Sequence, residues 1–179
     1  LQYCMESYTL EEFDRNGDAV RGALDAFAAV DRSYLPADVR LYGGFVGTEA
    51  TLDQRARLFD TTVLSGELGQ PGAMDNAYHV VTCDNPIPFY HPTSRLDGFR
   101  ITGGNADGGR KGGGAVVRGS GGANSWPILE LYRCTLEGNR SERGGALAVG
   151  DFSRVRVLAC TFAGNEAEQR GGALLCVSG

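Results

Sequence analysis

The sequence predicts an all-β fold, a parallel β-helix, and three observations carry that prediction. The first is an internal repeat. Cys134-Thr-Leu136-Glu-Gly-Asn139 runs on to Gly144-Gly145-Ala146-Leu147, and Cys160-Thr-Phe162-Ala-Gly-Asn165 runs on to Gly171-Gly172-Ala173-Leu174. Cys134 to Cys160 and Asn139 to Asn165 are each 26 residues apart, and Gly144 to Gly171 is 27. A period in the twenties, with one residue absorbed in a loop, belongs to a stacked solenoid. The second observation is the spacing of apolar residues by two, as in Leu129 and Leu131 or Val155 and Val157, which builds strands and not helices. The third is the punctuation. Each run closes on Gly-Asn and then Gly-Gly, residues that reach the left-handed backbone region a sharp corner needs.

Strands of about five residues that pair coil upon coil at roughly 4.8 Å stack like residues into ladders. Asn139 over Asn165 then forms an amide ladder in a corner, while Leu136 over Phe162 and Ala146 over Ala173 form core ladders.

These motifs resemble a known family. Phe162-Ala-Gly-Asn165 and Gly171-Gly172-Ala173-Leu174 are similar to the F-x-x-N and G-G-A-[I/L/V] elements of the chlamydial polymorphic outer-membrane proteins. The first copy keeps Gly144-Gly145-Ala146-Leu147 and has Leu136 in place of the Phe. More widely, the chain resembles bacterial right-handed β-helix repeat proteins, with Leu41 to Glu49 and Leu96 to Ala106 similar to the phrases that precede such repeats. The resemblance covers residues 39–179. It implies a single-stranded right-handed parallel β-helix of about five coils and export to the bacterial surface, on a fold that hosts adhesins, lyases and hydrolases alike.

Taken in order, residues 1–38 read as an acidic N-terminal appendage. Val20, Leu24, Phe27 and Val30 share one helical face, so a short helix over 19–31 is expected to cover the open first coil. Asp14, Asn16, Asp18 and Asp25 also stand at positions 1, 3, 5 and 12 of a calcium loop and resemble a dockerin-type half EF-hand. Ala19 stands where that loop wants Gly. A solvated acidic turn capping the helix is the alternative reading. After Pro36, Val39 to Tyr42 is an alternating strand turned by Gly43-Gly44. Thr51 and Gln54 suggest a capping box for a short helical excursion. Thr62 to Leu64 and Tyr78 to Thr82 read as strands, residues 84–92 as an irregular crossing, and Leu96 to Thr102 as the restart of the coil. Asp107 to Gly114 and Gly119 to Ser125 read as glycine-rich excursions ahead of the repeats. Gly179 falls inside a rung, so the β-helix of residues 39–179 is expected to be truncated at its C-terminus.

Composition narrows the function. Glycine is 27 of 179 residues, about twice ordinary usage, and 19 of those lie after residue 96. The net charge of −5 sits in residues 1–38, with eight acids against three bases, whereas residues 39–179 hold fourteen of each. That balance argues against nucleic acid as partner. No apolar run reaches the ~20 residues of a membrane span. The five cysteines have no C-x-x-C spacing, and Cys134 and Cys160 share one repeat position, either as reduced core residues or as an inter-rung disulfide.

Carbohydrate-cleaving β-helix enzymes resemble one another in grouping carboxylates, often with calcium, beside an Arg or Lys on one sheet face. The candidates here are Asp97, Asp107, Glu137, Glu142, Glu166 and Glu168, with Arg133, Arg143 and Arg170. Glu142 and Glu168 are expected in register. Trp126, Tyr132, Tyr90 and Phe89 are candidate sugar-stacking rings, and His79 and His91 read as structural or exposed. No catalytic or cofactor-binding set emerges, and calcium is the one cofactor with a candidate site. The expectation is a secreted or surface-exposed, non-enzymatic shaft that presents loops to a glycan or cell-surface protein. A fragment of a polysaccharide lyase or glycoside hydrolase is the alternative.

Overall fold

A computed structural model describes residues 2–6, 35, 37–45, 48–49, 51–55, 62–68, 75–85, 89–119, 124 and 126–177. The expected calcium loop at Asp14 to Asp25 and the expected helix over 19–31 lie outside the described residues. Within them the fold is nearly all β, and every strand pairing is parallel.

The strands are β1 (Gln2–Glu6), β2 (Arg40–Phe45), β3 (Thr62–Ser65), β4 (Val81–Asn85), β5 (Thr93–Asp97), β6 (Phe99–Thr102), β7 (Asn105–Lys111), β8 (Ala115–Gly119), β9 (Ile128–Tyr132), β10 (Thr135–Glu137), β11 (Arg140–Arg143), β12 (Leu147–Val149), β13 (Arg154–Leu158), β14 (Thr161–Ala163), β15 (Glu166–Arg170) and β16 (Leu174–Cys176). They form four sheets: β1-β2-β5-β9-β13, β3-β6-β10-β14, β7-β11-β15 and β4-β8-β12-β16. From β5 onward the chain visits first, second, third and fourth sheet in that order three times.

Three corners of each circuit are fixed by single residues with left-handed backbone. Gly98 (φ 85°), Arg133 (φ 50°) and Ala159 (φ 54°) turn the chain from the first sheet to the second. Gly103, Gly138 and Gly164 turn it to the third, and Gly112, Gly144 and Gly171 to the fourth. In the Gly112-Gly113 and Gly144-Gly145 pairs the second glycine answers a different need. A Cβ on Gly145 would lie 2.2 Å from the Gly172 carbonyl oxygen, because one rung rests directly on the next.

The core fills the space between the sheets with ladders. Leu41, Leu96, Leu131 and Val157 are in register in the first sheet, and Leu64, Ile101, Leu136 and Phe162 in the second. Leu96, Leu131, Ile101 and Leu136 are fully buried.

Several sequence expectations change. Gly43 and Gly44 lie inside β2 and do not end it, since the strand continues to Phe45. The strand expected at Tyr78–Thr82 sits later, at Val81–Asn85, and takes in the first residues of the expected crossing. The excursion expected at Asp107 to Gly114 narrows to a bulge in β7, where residues 107–110 stand against Glu142 alone, and Gly112-Gly113-Gly114-Ala115 is a third copy of the corner, aligned with Gly144 to Leu147 through the β8–β12 register. The extra residue that makes one spacing 27 lies in the third sheet, where the β11–β15 pairing is bulged, and not in a loop. Thr51 and Gln54 do form a capping box, on a 3-10 turn at Leu52–Gln54.

Candidate binding surface

Residues at successive positions of a strand face opposite sides of its sheet. With Leu96, Leu129 and Leu131 facing the core, the outward face of the first sheet presents three columns across the rungs. Arg40, Arg95, Glu130 and Arg156 form one column in register. Tyr42, Asp97, Tyr132 and Leu158 form the second, and Thr93, Ile128 and Arg154 the third. Arg55, beyond the 3-10 turn, and Arg133, at its left-handed corner, both reach onto Asp97 from the side.

The two acids on this face are buried and clamped. The Glu130 side chain is 7% exposed, and its Oε2 accepts from Arg95 Nε at 2.9 Å and Nη2 at 2.7 Å. Its other oxygen accepts from Arg156 Nη1 at 2.8 Å. Burial works against ionisation of Glu130, but the hydrogen bonds and charges of Arg95 and Arg156 outweigh it, and the carboxyl is held below its ordinary value. Asp97, 5% exposed, accepts from Arg133 Nε at 2.8 Å and Nη2 at 2.5 Å, and from Arg55 Nη2 at 2.9 Å. Here burial dominates and pushes the carboxyl up, although Arg55 and Arg95 draw it down.

Rings hold the guanidinia in place. Arg95 lies 4.3 Å over the Tyr132 centroid, Arg55 5.2 Å over Tyr42 and Arg154 4.7 Å over Trp126. Such cation–π contacts restrain side chains that otherwise hold much rotamer entropy. His91 stacks against Trp126 at 5.3 Å, and its Nδ1 accepts from the Trp126 backbone N–H at 3.0 Å. Tyr132 and Trp126 thus meet cations on the face where a sugar-stacking role was expected, while Phe89 is 80% exposed on its loop. At the edge of the face Asp38 accepts from the Thr93 N–H at 2.7 Å and from the Tyr90 hydroxyl.

The other expected acids do not converge. Glu137 pairs with Arg100, Asp107 with Arg110, and Glu168 with Arg140 at 3.0 Å. Glu142 does not align with Glu168. The extra residue in β15 brings Gln169 to it instead, and Arg143, aligned with Arg170, bonds Gln169 at 2.8 Å. Among the described residues no group of three or more His, Cys, Asp and Glu stands close enough to hold a metal ion. His79 is buried with its Nδ1 2.8 Å from the Gly112 carbonyl.

The repeat positions are structural contacts. Asn139 Oδ1 accepts from the Gly104 N–H at 3.0 Å, and its Nδ2 donates to the Ile101 carbonyl and to Asn165 Oδ1, both at 3.0 Å. Asn165 Nδ2 passes the pattern on to the Leu136 carbonyl at 2.8 Å. Cys134 and Cys160 are free thiols on adjacent rungs, with Cys160 Sγ 3.4 Å from the Cys134 backbone N. The hydrogen bond between the two thiols pulls Cys160 down to about 7 against the effect of its burial. The same bond, with burial, pushes Cys134 up.

Sequence reasoning picked out Arg133, Asp97, Tyr132 and Trp126 separately and missed Arg40, Arg55, Arg95, Glu130, Arg154 and Arg156. The signal was present as period-two alternation. Arg95-Leu96-Asp97, Glu130-Leu131-Tyr132 and Arg154-Val155-Arg156-Val157 each alternate charge or ring with a core residue.

No helix among the described residues is long and apolar enough to cross a membrane. No family model, curated protein or solved structure matches this chain.

Proposed function

We propose that this chain is part of a single-stranded right-handed parallel β-helix from an exported bacterial surface protein, related to the chlamydial polymorphic outer-membrane repeats, and that it works as a non-enzymatic, adhesin-like shaft. Its task is to hold a binding surface rigidly at a distance from its anchor. The outward face of the first sheet is the observation that carries this reading. It gathers six guanidinia, from Arg40, Arg95, Arg133, Arg154 and Arg156 on the rungs, whose left-handed corners leave the backbone little freedom, and from Arg55 at the end of the 3-10 turn. Binding to a preorganised surface loses less entropy than binding to mobile loops. A glycoside hydrolase would need two carboxylates facing one another across bound substrate, whereas Asp97 and Glu130 each face two arginines.

The test is to incubate the purified chain with a panel of glycans and with cultured cells, following retention and product together. The expected result is saturable retention with no new reducing ends or unsaturated sugars. Accumulation of either product would move the reading to a lyase or hydrolase. Protease treatment of intact cells that make the protein is expected to release peptides from residues 128–176.

A further inference from the structure

We propose that the ligand of this face is a linear acidic polysaccharide, bearing carboxylate or sulfate groups, laid along the solenoid axis across β2, β5, β9 and β13. This rests on the binding-shaft reading above and names the class of ligand.

Charge comes first. Six arginines stand against Asp97, Glu130 and the edge residue Asp38, so the face carries +3 and the rest of this −5 chain carries −8. Both inner acids are already enclosed by guanidinia, and the excess positive charge is presented outward, with the Arg156 side chain 65% exposed. Each guanidinium carries five N–H donors in a planar fork that suits carboxylate and sulfate oxygens.

Direction follows from the register. Arg40, Arg95 and Arg156 lie in one column perpendicular to the strands, and Arg154 flanks the last of them. Neighbouring rungs are spaced by about 4.8 Å, close to the advance of one sugar in an extended pyranose polymer. Anionic groups along the polymer therefore meet arginines on the β2, β5 and β13 rungs, and on the β9 rung between them Glu130 is already held by Arg95 and Arg156. The partner is a glycan and not a nucleic acid duplex because the −8 on the remainder of the molecule opposes approach of a backbone with one charge per about 1.7 Å, whereas a glycan with one charge per sugar or per disaccharide is less repelled.

Calorimetry with chondroitin sulfate, polygalacturonate, neutral dextran and a single-stranded oligodeoxynucleotide tests this on the full chain. Trp126, the only tryptophan, gives a parallel fluorescence signal at the face itself. Binding is expected to one or both acidic polysaccharides, to weaken with salt, and to fall by about tenfold or more in the triple variant Arg40→Gln, Arg154→Gln, Arg156→Gln. That variant leaves Arg95 on Glu130. The matched triple variant Lys111→Gln, Arg140→Gln, Arg170→Gln removes the same charge from the third sheet and is expected to bind like wild type. Equal losses in the two variants, tighter binding of the oligonucleotide, or binding of dextran alone would each overturn the proposal. Dextran binding would do so while leaving the binding-shaft reading in place, and cleavage of a probe would overturn that reading instead.

Discussion

Two buried polar side chains two residues apart on the same rung make opposite predictions. Asn139 is fully enclosed and saturated, bonding Gly104, Ile101 and Asn165. Asn139→Ala strands a buried N–H and a buried carbonyl, which costs about 1–3 kcal/mol for each group left unpaired. A drop of about 3 kcal/mol in the denaturant-unfolding free energy is expected, and a loss below about 1 kcal/mol would mean that water takes over the role. Ser141 is just as buried, but its Oγ has no partner, and the residues in register on either side are Ala106 and Ala167. Ser141→Ala is accordingly expected to leave stability unchanged or raise it by about 1 kcal/mol. Glu130 adds a pH dependence. Its folded-state carboxyl lies below the ordinary 4.5, so the stability it contributes is complete above about pH 4.5 and is lost as pH falls through the lower folded value. Thermal unfolding of wild type and Glu130→Gln should show a gap at neutral pH that narrows below 4.5. A gap that stays constant down to pH 3 would remove Glu130 from the acid response. The amide ladder was legible in sequence because Asn recurs at 26 residues. Its third member was not, because Gly104 stands there, where a Cβ would lie 1.8 Å from the Gly113 carbonyl oxygen.

At the scale of the element, the corners set the terms. A left-handed residue is needed between the first and second sheets in every circuit, yet only Gly98 supplies it without strain. A non-glycine residue there costs about 1 kcal/mol. Ala159→Gly on the exposed last rung is expected to raise the unfolding midpoint, with no change in the steepness of the transition. Gly145→Ala should do the reverse and cost several times as much, since the Cβ meets two backbone oxygens, those of Gly172 and Glu166. Differential scanning calorimetry of the two variants decides this, and a neutral Gly145→Ala would show that the rungs can slide apart. The Gly-Gly-Ala corners were readable in two circuits. The copy at Gly112 to Ala115 was hidden by its own excess of glycine and by the seven-residue strand ahead of it. Nothing in Gln2–Glu6 announced a strand, because its parallel partner lies 38 residues away and the segment carries no corner motif.

For the whole molecule, stability in a stacked array is close to a sum of nearest-neighbour terms. The middle circuit, β9 to β12, is paired on both sides, while β13 to β16 is paired on one side in this chain and leaves Val157, Leu158 and Leu174 exposed. Hydrogen exchange is expected to be faster at Val155, Phe162 and Leu175 than at Leu129, Leu136 and Ala148, which hold the matching positions one rung earlier. Identical protection in both rungs would mean that the array opens only as one unit. Net charge read along residues 39–179 concealed the first-sheet face, because fourteen acids and fourteen bases cancel in a sum while register sorts them onto different faces.

The glycine corners also divide the chain into what is allowed to vary and what is not. Three turns of each circuit admit one left-handed residue and no change of length. The segments that close the circuit, 86–92, 120–127 and 150–153, differ in length, yet the strands they join stay in register. New sequence can enter at that seam, as a few residues also do at the third-sheet bulges, without renegotiating the fold. The seam borders the arginine face beside Trp126 and Arg154, so a lineage built this way can rewrite the margin of that face while inheriting its frame unchanged.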